Sequence, residues 1–74
     1  MTALNETNYV GTRLRNAREK AGMSKRQLAQ AAQVREQQIR QWEAGEHIPT
    51  AHNLLRLIPH LGGTMEYYLT GSRK

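Results

Sequence analysis

The side chains best equipped for chemistry stand close together in this chain: Lys25 and Arg26, then Arg35, Glu36, Gln37, Arg40 and Gln41, all inside SKRQLAQAAQVREQQIRQWEAG, residues 24–45. They are long and polar. A guanidinium donates in a planar fork, a glutamine amide donates and accepts side by side, and a carboxylate only accepts. Such a set suits recognition of a partner's hydrogen-bonding edges. A solvated helix face has a similar composition, although glutamine is a costly choice for solubility where lysine or glutamate would serve. No Gly-rich phosphate loop, nucleophile elbow or convergent carboxylate pair accompanies these residues, and a chain of this size has little depth for a pocket. The residues point to a binding surface and away from an enzyme.

The other candidate chemistry is weaker. His47, His52 and His60 are the only histidines and there is no cysteine, so neither a disulfide framework nor a thiolate metal site is available. His52 and His60 would stand about 12 Å apart along a continuous helix and off a common line. No metal or other cofactor is expected. The formal charge is +5, and its placement is uneven: between Arg13 and Arg40, eight basic side chains face only Glu19 and Glu36. That concentration favours a polyanion, with nucleic acid ahead of an anionic membrane surface. Charge alone does not separate this from a surface made basic for solubility.

The elements that position these residues follow from periodicity and capping signals. With 74 residues there is one small core, formed by a chain that buries about 60% of its unfolded surface. No apolar run approaches the roughly 18 residues of a membrane span, and the N-terminus lacks the basic and apolar regions of a signal peptide, so a cytoplasmic setting is expected. Residues 1–7 are polar and unpatterned and read as a flexible arm, with the folded domain over 8–71 and a basic tail over 72–74. Val10, Leu14, Ala17 and Ala21 mark one face of helix 1, which Gly22 ends in a left-handed turn. Ser24 and Gln27 form a capping box for helix 2, with Met23 and Leu28 as its hydrophobic staple and Leu28, Ala29 and Ala32 inward, followed by Val34. Helix 3 buries Ile39 and Trp42 and stops at Gly45. Thr50 caps helix 4, whose stripe is Leu54, Leu57, Ile58 and Leu61, and Pro59 predicts a kink or an early end there. After Gly62 and Gly63, Thr64 caps a last helix with Met65 and Leu69 inward, ended by Gly71. Nothing alternates as a strand does.

The spacing of Val10-Gly11-x-x-Leu14-x-x-x-Arg18, Gly22-Met23-Ser24-x-x-x-Leu28-Ala29, Ile39-x-x-Trp42-Glu43-x-Gly45-x-x-x-Pro49 and Tyr67-Tyr68-Leu69-x-Gly71 resembles the lambda-repressor-like, Cro/C1-type helix-turn-helix family, also called the XRE family. Each motif is weak alone; their shared order and spacing carry the resemblance. It implies an all-α, compact five-helix domain whose helix 3 lies in the major groove of double-stranded DNA. The positions matching base-reading sites are Arg35, Glu36, Gln37 and Gln41, with Arg40 reaching a base or a phosphate. Arginine suits guanine, glutamine adenine, and glutamate the amino group of cytosine. Lys25 matches a phosphate clamp with Arg26 beside it, and the segment around His47 and Thr50 matches a second phosphate-facing stretch. Arg18 and Glu43 match a structural pair that ties helix 1 to helix 3.

By the same resemblance the protein is a small transcriptional regulator, a repressor first, acting as a homodimer on a palindromic operator. Met65, Tyr67 and Tyr68 form the dimer patch; burial arguments draw Met65 inward and favour the two tyrosines. An antitoxin that binds both its promoter and a toxin partner is the alternative, although no long tail stands ready to wrap a toxin. Three residues depart from the family pattern. Gln33 stands where the turn usually has glycine, Arg35 where helix 3 usually has a hydroxyl cap, and Pro59 interrupts helix 4. The first two predict a loosely fixed start for helix 3.

Overall fold

Local chemistry sets where the helices of this chain begin and end. The computed structural model describes the backbone of residues 6–71 and side chains from residue 10 onward. Five helices follow in order: α1 Glu6–Lys20, α2 Lys25–Ala32, α3 Glu36–Glu43, α4 Ala51–Leu61 and α5 Met65–Thr70, with no strand among the described residues. Helix α1 begins inside the expected arm, since residues 6 and 7 are helical and include no proline or glycine to stop it. The rest of the arm and the basic tail lie outside the described residues.

Three of the five starts use a hydroxyl cap. Ser24 Oγ accepts from the Gln27 amide at 3.0 Å while Gln27 Oε1 accepts from the Ser24 amide at 2.8 Å, completing the capping box. Thr50 and Thr64 accept from the amides of Asn53 and Tyr67 at 3.1 and 3.0 Å. The first three turns between helices share one geometry, in which an amide reaches back over a left-handed residue to the carbonyl five positions earlier. Met23 bonds to Arg18 over Gly22, Val34 to Ala29 over Gln33, and Glu46 to Gln41 over Gly45. These are Schellman turns, and glycine suits them because the left-handed region brings a Cβ against the following carbonyl. Gln33 is the exception, at φ 61° and ψ 44°, at a cost of about 1–2 kcal/mol for a residue with a Cβ.

The core runs through all five helices. Val10 and Leu14 of α1, Leu28, Ala29 and Ala32 of α2, Ile39 and Trp42 of α3, Leu54 and Leu57 of α4 and Tyr68 of α5 are all buried. Ala17, Met23, Val34, Ile58, Leu61, Met65 and Leu69 pack partly buried around them. Each of the larger side chains stabilises the fold by about 1.5–3 kcal/mol on burial. Ala21, expected on the inner face of α1, is exposed because the helix has ended one residue earlier. Helix α1 packs against α3 and α5, α2 against α3 and α4, and α4 against α5, so α3 lies between α1 and α2.

Two expectations about the C-terminal half, an end of α4 at Pro59 and Tyr68 on the surface, are corrected. Helix α4 passes through Pro59 and ends two residues later. Pro59 is exposed and lies in the last turn, so the chain loses one bond to the Leu55 carbonyl at a place where water replaces it. Tyr68 does not offer a surface for dimerisation. It is 1% exposed, its hydroxyl donates to the Gly62 carbonyl at 2.6 Å, and its ring meets Tyr67 edge to face at 5.0 Å. Burial, with a smaller contribution from Tyr67, raises the pKa of the Tyr68 phenol. At Gly63 a side chain would press on this ring, at 3.2 Å from Cε2 and Oη. The inner row of α5 therefore runs Met65, Tyr68, Leu69, an i, i+3, i+4 spacing.

Gly11 lets α1 approach α3. A Cβ built there would run into the carbonyl oxygens of Trp42 and Glu43, which are backbone atoms and cannot swing away. Gly11→Ala adds about 1 kcal/mol of helix propensity, yet overpacking should outweigh it and lower stability by about 1–3 kcal/mol net. A urea midpoint equal to or above that of the native chain would overturn the close-approach argument.

Candidate nucleic-acid interface

Helix α3 has an inner and an outer side because Ile39 and Trp42, three residues apart, are both buried at 2% and 4% exposure. The opposite side carries Gln37, Gln41 and Ala44 at the i, i+4, i+7 positions of one row. Gln37 is exposed and Gln41 half-buried. Around this row lies a shallow, open groove lined by Arg15 of α1, Lys25 at the start of α2, Gln37, Arg40, Gln41, Glu43 and Ala44 of α3, and Glu46 just beyond it. The fold thus joins four of the sequence-selected residues, Lys25, Gln37, Arg40 and Gln41, on one surface.

The other residues selected for DNA contact stand outside that groove. Glu36 accepts from Arg40 Nη1 at 3.2 Å, one helical turn along α3, with both side chains substantially exposed. Such an exposed pair contributes about 0–1 kcal/mol, so Arg40 is readily released to another acceptor. Arg35 is exposed at the N-cap of α3, and Arg26, His47 and Thr50 are exposed on α2 and on the segment leading to α4. Thr50 Oγ1 already accepts the Asn53 amide, which leaves its hydroxyl hydrogen for a ligand.

Arg15 was missed from the sequence. It belongs to α1, away from the polar run, and its only sequence signal is that it lies off the apolar stripe. In the fold it reaches the groove beside Lys25 while pairing with Glu19 at 3.3 Å. Only the packing of α1 on α3 makes it part of this surface.

The C-terminal end of α3 is held by a buried ion pair. Arg18 donates through Nε to Glu43 Oε2 at 2.7 Å and through Nη2 to Glu43 Oε1 at 3.0 Å, while Nη1 donates to the Met23 carbonyl at 2.8 Å. The two side chains are only 9% and 4% exposed. The hydrogen bond to Glu43 outweighs desolvation and raises the Arg18 pKa, so the guanidinium stays charged. Removing one partner should strand a buried charge. Glu43→Ala is expected to destabilise by about 3–5 kcal/mol, and Arg18→Met with Glu43→Leu to recover much of that loss. A double variant as unstable as the single one in denaturant titration would show that the pair contributes more than mutual neutralisation.

The N-terminal end is held differently. An arginine side chain has no acceptor, so Arg35 cannot cap through its guanidinium. Instead Gln38 Oε1 accepts from the Arg35 amide at 3.0 Å, the reciprocal half of a capping box. The turn before it gains a bond from α4, where Arg56 Nη1 donates to the Gln33 carbonyl at 2.9 Å. The loosely fixed start expected from Gln33 and Arg35 is therefore braced from two sides, by a glutamine one turn ahead and by an arginine 23 residues on.

An α2-turn-α3 unit with an outward polar row and a basic margin defines the helix-turn-helix class of DNA-binding domains. A model of the helix-turn-helix family matches residues 14–68, so the chain belongs to that family, in its Cro/C1 or XRE type. It is a DNA-binding transcription regulator. No curated protein and no solved structure shows a significant match. Among the described residues no helix is long and apolar enough to cross a membrane, and no three histidine or acidic side chains come together as a metal site would require.

Proposed function

We propose that the protein is a repressor in the cytoplasm that reads the major groove with α3 as a homodimer on a palindromic operator. The observation that carries this reading is the row of Gln37 and Gln41 flanked in one groove by Lys25, Arg15 and Arg40. A row of amides set between cations fits base edges lying between two phosphate backbones. In this reading Gln37 and Gln41 contact bases, Arg35, Glu36 and Arg40 complete the reading set, and Lys25, Arg26 and Arg15 hold phosphates together with His47 and Thr50. Glu36 bound to Arg40 narrows the choice of base, because a carboxylate accepts from cytosine and repels other acceptors.

A second copy follows from the size of the reader. An eight-residue helix is about 12 Å long and spans only a few base pairs, so two copies on half-sites about 34 Å apart supply the remaining specificity. With Tyr68 in the core, the large apolar residues most available to a partner are Leu55, 60% exposed, and Ile48, 45% exposed, and of the expected patch Met65 and Tyr67 stay half-buried.

Selection of bound sites from random duplexes should return a palindrome. Gln37→Ala should cost about 1–3 kcal/mol and relax preference at one base step, whereas Lys25→Ala should weaken all duplexes alike and lower the salt slope by about one unit. An unchanged selected site for Gln37→Ala would displace the register along α3. Sedimentation at tens of micromolar should give a dimer that Leu55→Glu shifts toward monomer, and a native monomer both with and without the selected duplex would remove the dimer from the reading.

A further inference from the structure

All five helices contribute to the buried core, and α1, α2 and α3 to the groove, but one polar contact of α4 serves neither. Arg56 is exposed, belongs to none of the three ion pairs among the described residues, and extends to the carbonyl of Gln33, 23 residues earlier. Gln33 is the only residue other than glycine with positive φ among those described. It occupies the left-handed position of the turn between α2 and α3, directly before a helix start that lacks a side-chain cap from its own N-cap residue.

These facts belong together. A left-handed residue with a side chain is held only where its surroundings over-determine it. The amide side of this turn is already fixed by the bond from Val34 to Ala29. The Gln33 carbonyl and the Val34 amide belong to one planar peptide, so rotation of ψ at Gln33 would break the bond to Ala29 and swing the carbonyl together, redirecting the chain entering α3. A donor on the carbonyl holds that plane from its other edge. A guanidinium donor on that oxygen forms a charge-assisted bond, stronger than a neutral one. We infer that Arg56 is a positioning residue for DNA reading: by clamping the Gln33 carbonyl it fixes the left-handed turn and with it the angle and register at which the first turn of α3 meets bases. The inference rests on the reading of α3 proposed above.

The clamp also explains how the turn dispenses with glycine. Glycine adopts the left-handed conformation freely but leaves the joint loose, whereas glutamine held from α4 gives a joint with fewer alternatives. Because Arg56 is anchored in α4, which packs on α2, the entry to α3 is tied to the same scaffold that carries Lys25. Register along the groove and placement on the backbone are then set by one rigid unit.

Amide exchange and DNA binding of Arg56→Ala, Gln33→Gly and the double variant test the clamp. In the free protein, Arg56→Ala should accelerate exchange at Val34, Arg35 and Gln38 by about fivefold, the effect of one lost hydrogen bond, with Leu14 and Ala44 unchanged. On DNA its ratio of affinities for the selected site over a scrambled duplex should fall by a similar factor at an unchanged salt slope. With Gln33→Gly in place, the same substitution should alter both readouts less, because the turn no longer needs the clamp. Unchanged exchange would overturn the inference. So would an equal loss on both duplexes with a salt slope lower by about one unit, which would make Arg56 a phosphate contact. If the native protein prefers no duplex sequence, the reading of α3 fails while the exchange measurement still decides the clamp.

Discussion

The buried bond between Arg18 and Glu43 is the constraint on which the rest of this domain depends. It joins the last turn of α1 to the last turn of α3 and, through the third donor to Met23, holds the turn into α2 as well. A carboxylate at the C-terminal end of a helix is unfavourably placed, whereas a cation at the end of α1 is favourably placed. The pair resolves that conflict by setting one against the other. Buried pairs of this kind contribute little net stability compared with apolar replacements. What this one supplies is position. Two turns earlier on α1, Gly11 brings the helix backbone against the carbonyls of Trp42 and Glu43. Close approach and charge neutralisation thus converge on the same end of α3.

The two ends of α3 are consequently held by different physics. At its C-terminal end the constraint is buried and electrostatic, and its loss leaves a charge without water. At its N-terminal end the constraints are exposed hydrogen bonds, from Gln38 to the Arg35 amide and from Arg56 to the Gln33 carbonyl. Exposed bonds compete with water and are individually weaker. The outward polar row of α3 lies between those two regimes, with one end held by a buried charge pair and the other by exposed hydrogen bonds.

Much of this was legible in the sequence because it depends on neighbours within one turn. The capping box at Ser24, the hydroxyl caps at Thr50 and Thr64, the left-handed Gly22, the stop at Gly45 and the apolar stripes are local features, and the structure has them. The strain at Gln33 and the missing cap at Arg35 were legible as well. Their compensation was not, since Arg56 meets Gln33 only after α4 has packed on α2. Arg15 joins the groove for the same kind of reason. Tyr68 was misplaced on a surface because the burial argument drew only Met65 and Leu69 inward, although Tyr68 shares their i, i+3, i+4 row. Pro59 was judged by the cost of a helix-interior proline, whereas its position in the exposed last turn removes most of that cost.

Electrostatics explains why a basic surface can still discriminate. The groove cations are not bare: Arg15 and Arg40 each rest on a glutamate one turn away at 3.3 and 3.2 Å. Both pairs are exposed, so each is worth no more than about 1 kcal/mol. A phosphate, or the O6 and N7 of guanine, offers a competing acceptor of at least equal strength. Exchange of partner therefore costs little where the fit is good, but wherever Arg40 takes a base it leaves the Glu36 carboxylate in need of a donor. An adjacent cytosine amino group can supply one, and an acceptor cannot. In the proposed reading of α3, the intrahelical pair thereby converts general attraction for a polyanion into a preference about which bases lie beneath its first turn.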